Sequence, residues 1–130
     1  MARFRVEKLI RDKLPAIMRA QGLAVFDRRL DDAAFVDALK TKLLEEAAEA
    51  REAATPDDLL GELADLSEVI LALAAVHGLG AADIERQRLA KREERGGFED
   101  RVYNAAVEAE DGLPAADYYL ARPGQYPRIE

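Results

Sequence analysis

The chain has 130 residues, a net charge of −7, 49% hydrophobic residues and no cysteine. A single domain is expected, of a length sufficient to bury a working core without staples, and the missing thiols exclude disulfides and thiolate metal sites. The acidic balance argues against coating of nucleic acid, which needs a basic face, and the longest apolar run, residues 69–76, is too short to span a bilayer.

The opening Met1-Ala2-Arg3-Phe4-Arg5 has no apolar h-region, so a soluble cytoplasmic protein without a secretory signal is expected. Alanine, leucine and glutamate dominate and β-branched residues are sparse, which favours helix. Asp12-Lys13-Leu14-Pro15 reads as a helix start with proline in the first turn, and Gly22 as its stop. Residues 23–30 read as short and extended. Asp31 or Asp32 caps the next helix, which runs to about residue 54 with Val36, Leu39, Leu43, Ala47, Ala50 and Ala54 at spacings of three and four. Thr55-Pro56-Asp57-Asp58 then restarts the chain as helix: threonine as N-cap, proline at the first position, acids in the first turn. That helix runs to about His77, where Gly78 and Gly80 end it. A fourth covers roughly residues 82–94 and stops at Gly96-Gly97, and residues 98–109 are a candidate for a further helix. From Asp111 on, glycine, proline and tyrosine mark an irregular tail. The expected fold is all-α, of the four-helix-bundle type, with residues 1–110 as the domain and 111–130 as the tail.

Two acidic clusters carry the chemistry: Glu45-Glu46-Ala47-Ala48-Glu49 and Glu62-Leu63-Ala64-Asp65. Glu46 with Glu49, and Glu62 with Asp65, are three residues apart, so each pair shares a helix face. Two such helices packed antiparallel aim four carboxylates at one point. At about 5 Å and an effective dielectric near 20, each like-charge pair costs roughly 3 kcal/mol. A hard divalent cation with oxygen ligands relieves this, and Mg2+ fits best.

Helical geometry sorts the acids. With the apolar stripe of the residue 32–54 helix as the inward direction, Glu46 lies roughly 60° off centre, Glu49 roughly 120° and Glu45 roughly opposite. Glu45 and Glu52 are therefore expected to be the more solvated. On the residue 56–77 helix one stripe is Leu59, Leu63, Leu66, Ile70 and Leu73, and a second is Glu62, Asp65, Val69, Ala72 and Val76. The second is apolar except at the end that carries the two acids, which points to the mouth of an interior cavity. From Leu66 onward the helix is apolar around most of its circumference, so burial by a partner chain as well as by its own bundle is expected.

Simpler accounts exist for each feature. An E-E-x-x-E string alone is usually a solvated face, and Glu62 and Asp65 alone suit the positive end of a helix dipole. Lys42, one turn before Glu46, has a surface ion pair as its simplest role. His77 sits at a helix end where an imidazole suits the dipole better than catalysis. Phe98 and Tyr103 are better placed for packing than for stacking on a base. A di-iron or di-manganese bundle needs Glu-x-x-His, and the only histidine is preceded at that spacing by Ala74.

Glu45-Glu46-x-x-Glu49 followed by Glu62-x-x-Asp65 resembles the signature of the all-α nucleoside triphosphate pyrophosphohydrolases of the MazG type. Lys8-Leu9-Ile10-Arg11-Asp12-Lys13-Leu14-Pro15 and Lys91-Arg92-Glu93-Glu94-Arg95-Gly96-Gly97-Phe98 resemble a subgroup of that superfamily, the predicted house-cleaning, phosphoribosyl-ATP pyrophosphohydrolase-like proteins. The matching segments run from about Lys8 to Arg101.

The resemblance implies a MazG-like helical fold, homo-oligomeric assembly and Mg2+-dependent hydrolysis between the α and β phosphates, with Mn2+ as a substitute ion. The products would be a nucleoside monophosphate and pyrophosphate. By motif position Glu46, Glu49, Glu62 and Asp65 would be the metal ligands. Glu45 would orient or deprotonate the attacking water. Lys91 and Arg95, one helical turn apart, would neutralise phosphate oxygens. Lys8, Arg11 and Lys13 have two readings, contact with phosphate or nucleotide on one side, surface charge at a helix start on the other. The serine-tyrosine-threonine opening of the histidine-biosynthesis branch is missing, which counts against phosphoribosyl-ATP as the substrate. Arg88 stands where many members carry asparagine, and the Tyr118-Tyr119 tail lies beyond the resemblance. A non-catalytic helical dimer that binds nucleotide is the other reading of the same residues.

Overall fold

The computed structural model describes residues 1–130. The chain is all-helical, with five helices and no strand. Its contacts divide it into two units, Met1–Glu94 and Arg95–Glu130. The sequence reading placed a boundary after residue 110.

Unit 1 begins with residues 1–11 as an irregular strap. Helix α1 (Leu14–Ala20) carries Pro15 in its first turn and ends before Gly22, whose φ of +91° is left-handed backbone that favours glycine. Residues 23–30 have no regular structure, as expected. Arg19 fastens them to α1 by hydrogen bonds to Asp27 Oδ1 (2.6 Å) and the Val25 carbonyl (2.9 Å).

Helix α2 (Asp32–Glu52) starts where the Asp31 side chain accepts from the Ala34 amide at 2.9 Å. Helix α3 (Pro56–Val76) starts where Thr55 Oγ1 accepts from the Asp58 amide at 3.1 Å. Asp57 and Asp58 occupy its first turn, at the positive end of the dipole. Residues 53–55 are the whole link, so α2 and α3 run antiparallel, and theirs is the one extensive helix–helix interface. Leu39 on α2 (2% exposed) and Val69 on α3 (8% exposed) form its core.

The inward faces differ from the expected ones in one helix and agree in the other. On α3 the seam of Glu62, Asp65, Val69, Ala72 and Val76 is the buried or half-buried one. Of the other stripe, Leu59, Leu63 and Ile70 are exposed within the chain, while Leu66 and Leu73 are half-buried. On α2 the expected Val36, Leu39, Leu43 and Ala50 are packed together with Lys42 and Glu46, while Ala47, and Ala54 beyond the helix end, are exposed. Glu46 therefore stands on the packed face itself, not on its flank.

Helix α4 (Ala81–Arg95) has no buried residue. Its start is tied by Asp83 Oδ2, which accepts from the Gly80 amide at 2.8 Å. Gly96, at φ +84°, ends it. Residues 98–109 are not helical, against the expectation. Nothing in unit 2 packs on their apolar positions: Phe98, Val102 and Tyr103 are exposed, and an isolated segment of this length is a marginal helix in water. Arg101, at φ +58°, breaks the run. The packing expected of Phe98 and Tyr103 is also absent within the chain.

The tail holds a fifth helix, α5 (Ala116–Leu120), where irregular structure was expected. Its cause is tertiary. Tyr118, Tyr119 and Tyr126 meet with ring centroids 5.0 to 5.7 Å apart, and the Arg122 guanidinium lies 4.0 Å from the Tyr118 ring centre.

Candidate metal centre

The antiparallel α2–α3 pair brings the two acidic clusters together. Glu46, Glu49 and Glu62 each offer a carboxylate oxygen, and these atoms lie within 4.8 Å of one another. Their exposure is graded. Glu46 is buried at 6% exposure, Glu62 is half-buried and Glu49 is exposed. Of the three residues this chain buries most fully, two are apolar and the third is a carboxylate.

Burying a charge is costly unless it is paired. Glu46 has one cation, Lys42 Nζ, at 3.4 Å from Oε1. Its other oxygen, Oε2, is buried without a hydrogen-bond partner, and so is Glu62 Oε2. Two orphaned carboxylate oxygens on facing helices, with a third carboxylate beside them, match the oxygen donor set of a hard divalent cation. The donors contain no nitrogen or sulfur ligand, which suits Mg2+ or Mn2+ better than Zn2+.

The remaining predicted residues are placed as follows. Asp65, one turn beyond Glu62, lies outside the triad, and its Oδ1 accepts from Arg11 at 2.8 Å. Glu45 is not the outermost acid. Its side chain is 22% exposed and its Oε1 lies 3.1 Å from Lys8 Nζ and 3.5 Å from Lys42 Nζ. The helical wheel missed this because the strap, invisible to it, covers that side of α2. Lys42, read as a surface partner, is half-buried and bridges Glu45 and Glu46. Lys91 and Arg95 stand exposed on α4, outside the ion pairs that join Lys8, Arg11 and Lys42 to the acids. Arg88 is held by Glu85 at 2.6 Å. Lys13 is exposed at the N-cap of α1, and His77 is the exposed C-cap of α3.

Sequence reasoning did not assign Glu52, Asp57 or Asp58 to the site. They line, with Glu49, Glu62 and Asp65, an open concavity of about 560 Å³ at the hairpin end of α2 and α3. Gly61 lines it too, and a Cβ there would meet no atom of the chain within 4 Å. The signal was present in Thr55-Pro56-Asp57-Asp58, where helix-start chemistry explains the acids equally well.

Titration behaviour follows from the contacts. Burial, then the neighbouring Glu49 carboxylate, hold the Glu46 carboxyl above its ordinary value of 4.5, with Lys42 pulling the other way. Burial also pushes Glu45 up, but Lys8 and Lys42 together outweigh it and hold Glu45 below the ordinary value. Lys8 is raised in turn, chiefly by its hydrogen bond to Glu45.

The two glutamates act on stability in separate pH windows. The folded state binds the Glu46 proton more tightly than the unfolded chain, so stability is lost as pH rises from about 4.5 through the raised value. Glu45 contributes stability above 4.5 that is lost as pH falls through its lowered value. In chelator the melting temperature is expected to fall as pH rises from 4.5 towards 7. Glu46→Gln should flatten that limb. A limb unchanged in the variant would show that Glu46 is not the strained group.

Comparison with protein-family models, with curated proteins and with solved structures returned no match. No helix is long and apolar enough to cross a membrane.

Proposed function

We propose that this chain is a Mg2+-dependent nucleoside triphosphate pyrophosphohydrolase of the MazG type, cleaving between the α and β phosphates in nucleotide-pool house-cleaning. The observation that carries the reading is the pair of buried, unpartnered oxygens, Glu46 Oε2 on α2 and Glu62 Oε2 on α3, in residues that form a triad with Glu49. A solvated acidic face would leave no carboxylate oxygen both buried and unpaired.

The nucleotide as substrate rests on the resemblance of the acidic motif, and the concavity beside the triad is open to solvent. Six carboxylates line it, so a triphosphate enters only in the company of cations. Glu46, Glu49 and Glu62 would hold the ion, with Asp65 as the fourth ligand implied by the motif. When bound, Mg2+ supplies charge neutralisation of the phosphates and a more acidic water.

The chain's own residues do the rest. Glu62 and Glu46, fixed by the helix seam, would hold the ion and through it set where the phosphates sit. Gly61 leaves room for the nucleoside against α3. Lys8 and Arg11 are the cations closest to the acids and are the first candidates to neutralise phosphate oxygens, ahead of Lys91 and Arg95. Glu45 orients the attacking water once its lysines are engaged elsewhere.

The exposed Leu59, Leu63 and Ile70 stripe supports homo-oligomeric assembly as part of the same reading. The test is incubation with a panel of nucleoside triphosphates, deoxy and damaged forms and phosphoribosyl-ATP included, in Mg2+. Pyrophosphate is the expected primary product. Orthophosphate as the primary product would move the reaction to another bond.

A further inference from the structure

The strap of residues 1–11 crosses the two acid-bearing helices and puts a cation on each. Lys8 reaches Glu45 on α2 at 3.1 Å, and Arg11 reaches Asp65 on α3 at 2.8 Å. Leu9 and Ile10, between them, are half-buried, while every other residue of the strap is exposed. Glu7 has a left-handed φ of 45° immediately before Lys8.

The strap is weakly attached. The Lys8 and Arg11 side chains are 55% and 59% exposed, and exposed ion pairs contribute little. A second anchor lies away from the acids, where the Arg3 guanidinium sits 4.4 Å from the centre of the Phe26 ring. Attachment of this kind is readily exchanged for a stronger partner.

The partners are the two acids that the triad leaves out. Glu46, Glu49 and Glu62 converge on one point, while Asp65 and Glu45 flank it and are each engaged by the strap. A carboxylate oxygen that accepts from Arg11 is a poorer donor to a divalent ion, because both cations draw on the same charge. We propose that the strap is a latch of competing cations. Arg11 holds Asp65 and Lys8 holds Glu45 until a divalent ion at the triad draws Asp65 into its coordination, which releases the strap and its two cations. This rests on the metal reading above and adds a regulated step to it. The released Lys8 and Arg11 would then be free for substrate phosphate, and Glu45 free for water.

The reverse role predicts the opposite sign. If Arg11 merely holds Asp65 in the orientation a metal needs, its removal weakens binding.

The experiment uses the full chain and Mn2+ alone as the probe, with free Mn2+ followed by its paramagnetic resonance. Wild type, Arg11→Ala, Arg11→Lys and the double variant Lys8→Ala/Arg11→Ala are compared. Arg11→Ala is expected to bind Mn2+ about 2–5-fold tighter, the gain set by loss of one exposed competing pair. The double variant should bind tighter still, and Arg11→Lys should stay near wild type. Amide exchange of residues 3–11 in wild type should quicken several-fold on adding Mn2+. Wild-type binding with unchanged or weaker affinity in Arg11→Ala, or with strap exchange unaltered by Mn2+, overturns the latch and leaves the metal reading standing. No Mn2+ binding by wild type overturns both.

Discussion

Glu46→Gln and Glu62→Gln are each expected to lower pyrophosphate release by about 10²–10³-fold, the scale of losing one well-placed electrostatic group at a reacting centre. The same substitutions should not damage the fold. In the absence of metal they should raise the melting temperature at neutral pH, because each removes a charge from a crowded acidic seam. At 4.8 Å and an effective dielectric near 20, one carboxylate pair repels by about 3 kcal/mol, less where exposed Glu49 is the partner. Opposite signs for activity and stability mark a group whose placement costs the fold and serves the site. Glu49→Gln and Asp65→Asn should also abolish turnover. Near-normal rates in all four variants would remove the metal assignment, and a stability loss in the glutamine variants would make Glu46 and Glu62 structural residues.

The second large effect concerns assembly. Only Leu39 and Val69 are buried apolar residues, which is too small a core for a stable free hairpin. On α3, Leu63 (45% exposed) and Ile70 (38% exposed) form one outward stripe. Each leucine or isoleucine gains about 1.5–3 kcal/mol on full burial. Folding and self-association are therefore expected to be coupled, with a melting temperature that rises with protein concentration. Light scattering should give at least twice the chain mass. The double variant Leu63→Asp/Ile70→Asp should lose both the assembly and most of its helicity. A well-folded monomer at working concentration would defeat this expectation.

What the sequence disclosed depended on whether the cause was local. The start of α3 was legible because Thr55 and Pro56 act within one turn. Its inward seam was legible because Val69, Ala72 and Val76 continue the line of Glu62 and Asp65. The face of α2 was less so. Alanine buries little area, so Ala47 and Ala54 pulled the inferred stripe aside and placed Glu46 on a flank. Glu45 was misjudged for a different reason: a helical wheel knows one helix, and Glu45 is covered by a segment more than thirty residues earlier in the chain. The failed helix at residues 98–109 and the unforeseen α5 have the same origin. Short helices follow their tertiary partners, absent in the first case and supplied by three tyrosines in the second.

The metal centre exists only if Glu46, Glu49 and Glu62 hold one hard cation between α2 and α3. Calorimetric titration of the chelator-stripped chain with Mn2+ at pH 7, beside Glu46→Gln under the same conditions, addresses that most directly. Saturable binding in the wild type, and its loss in the variant, is the predicted result. Heats equal to dilution in the wild type, or equal affinity in Glu46→Gln, would contradict it.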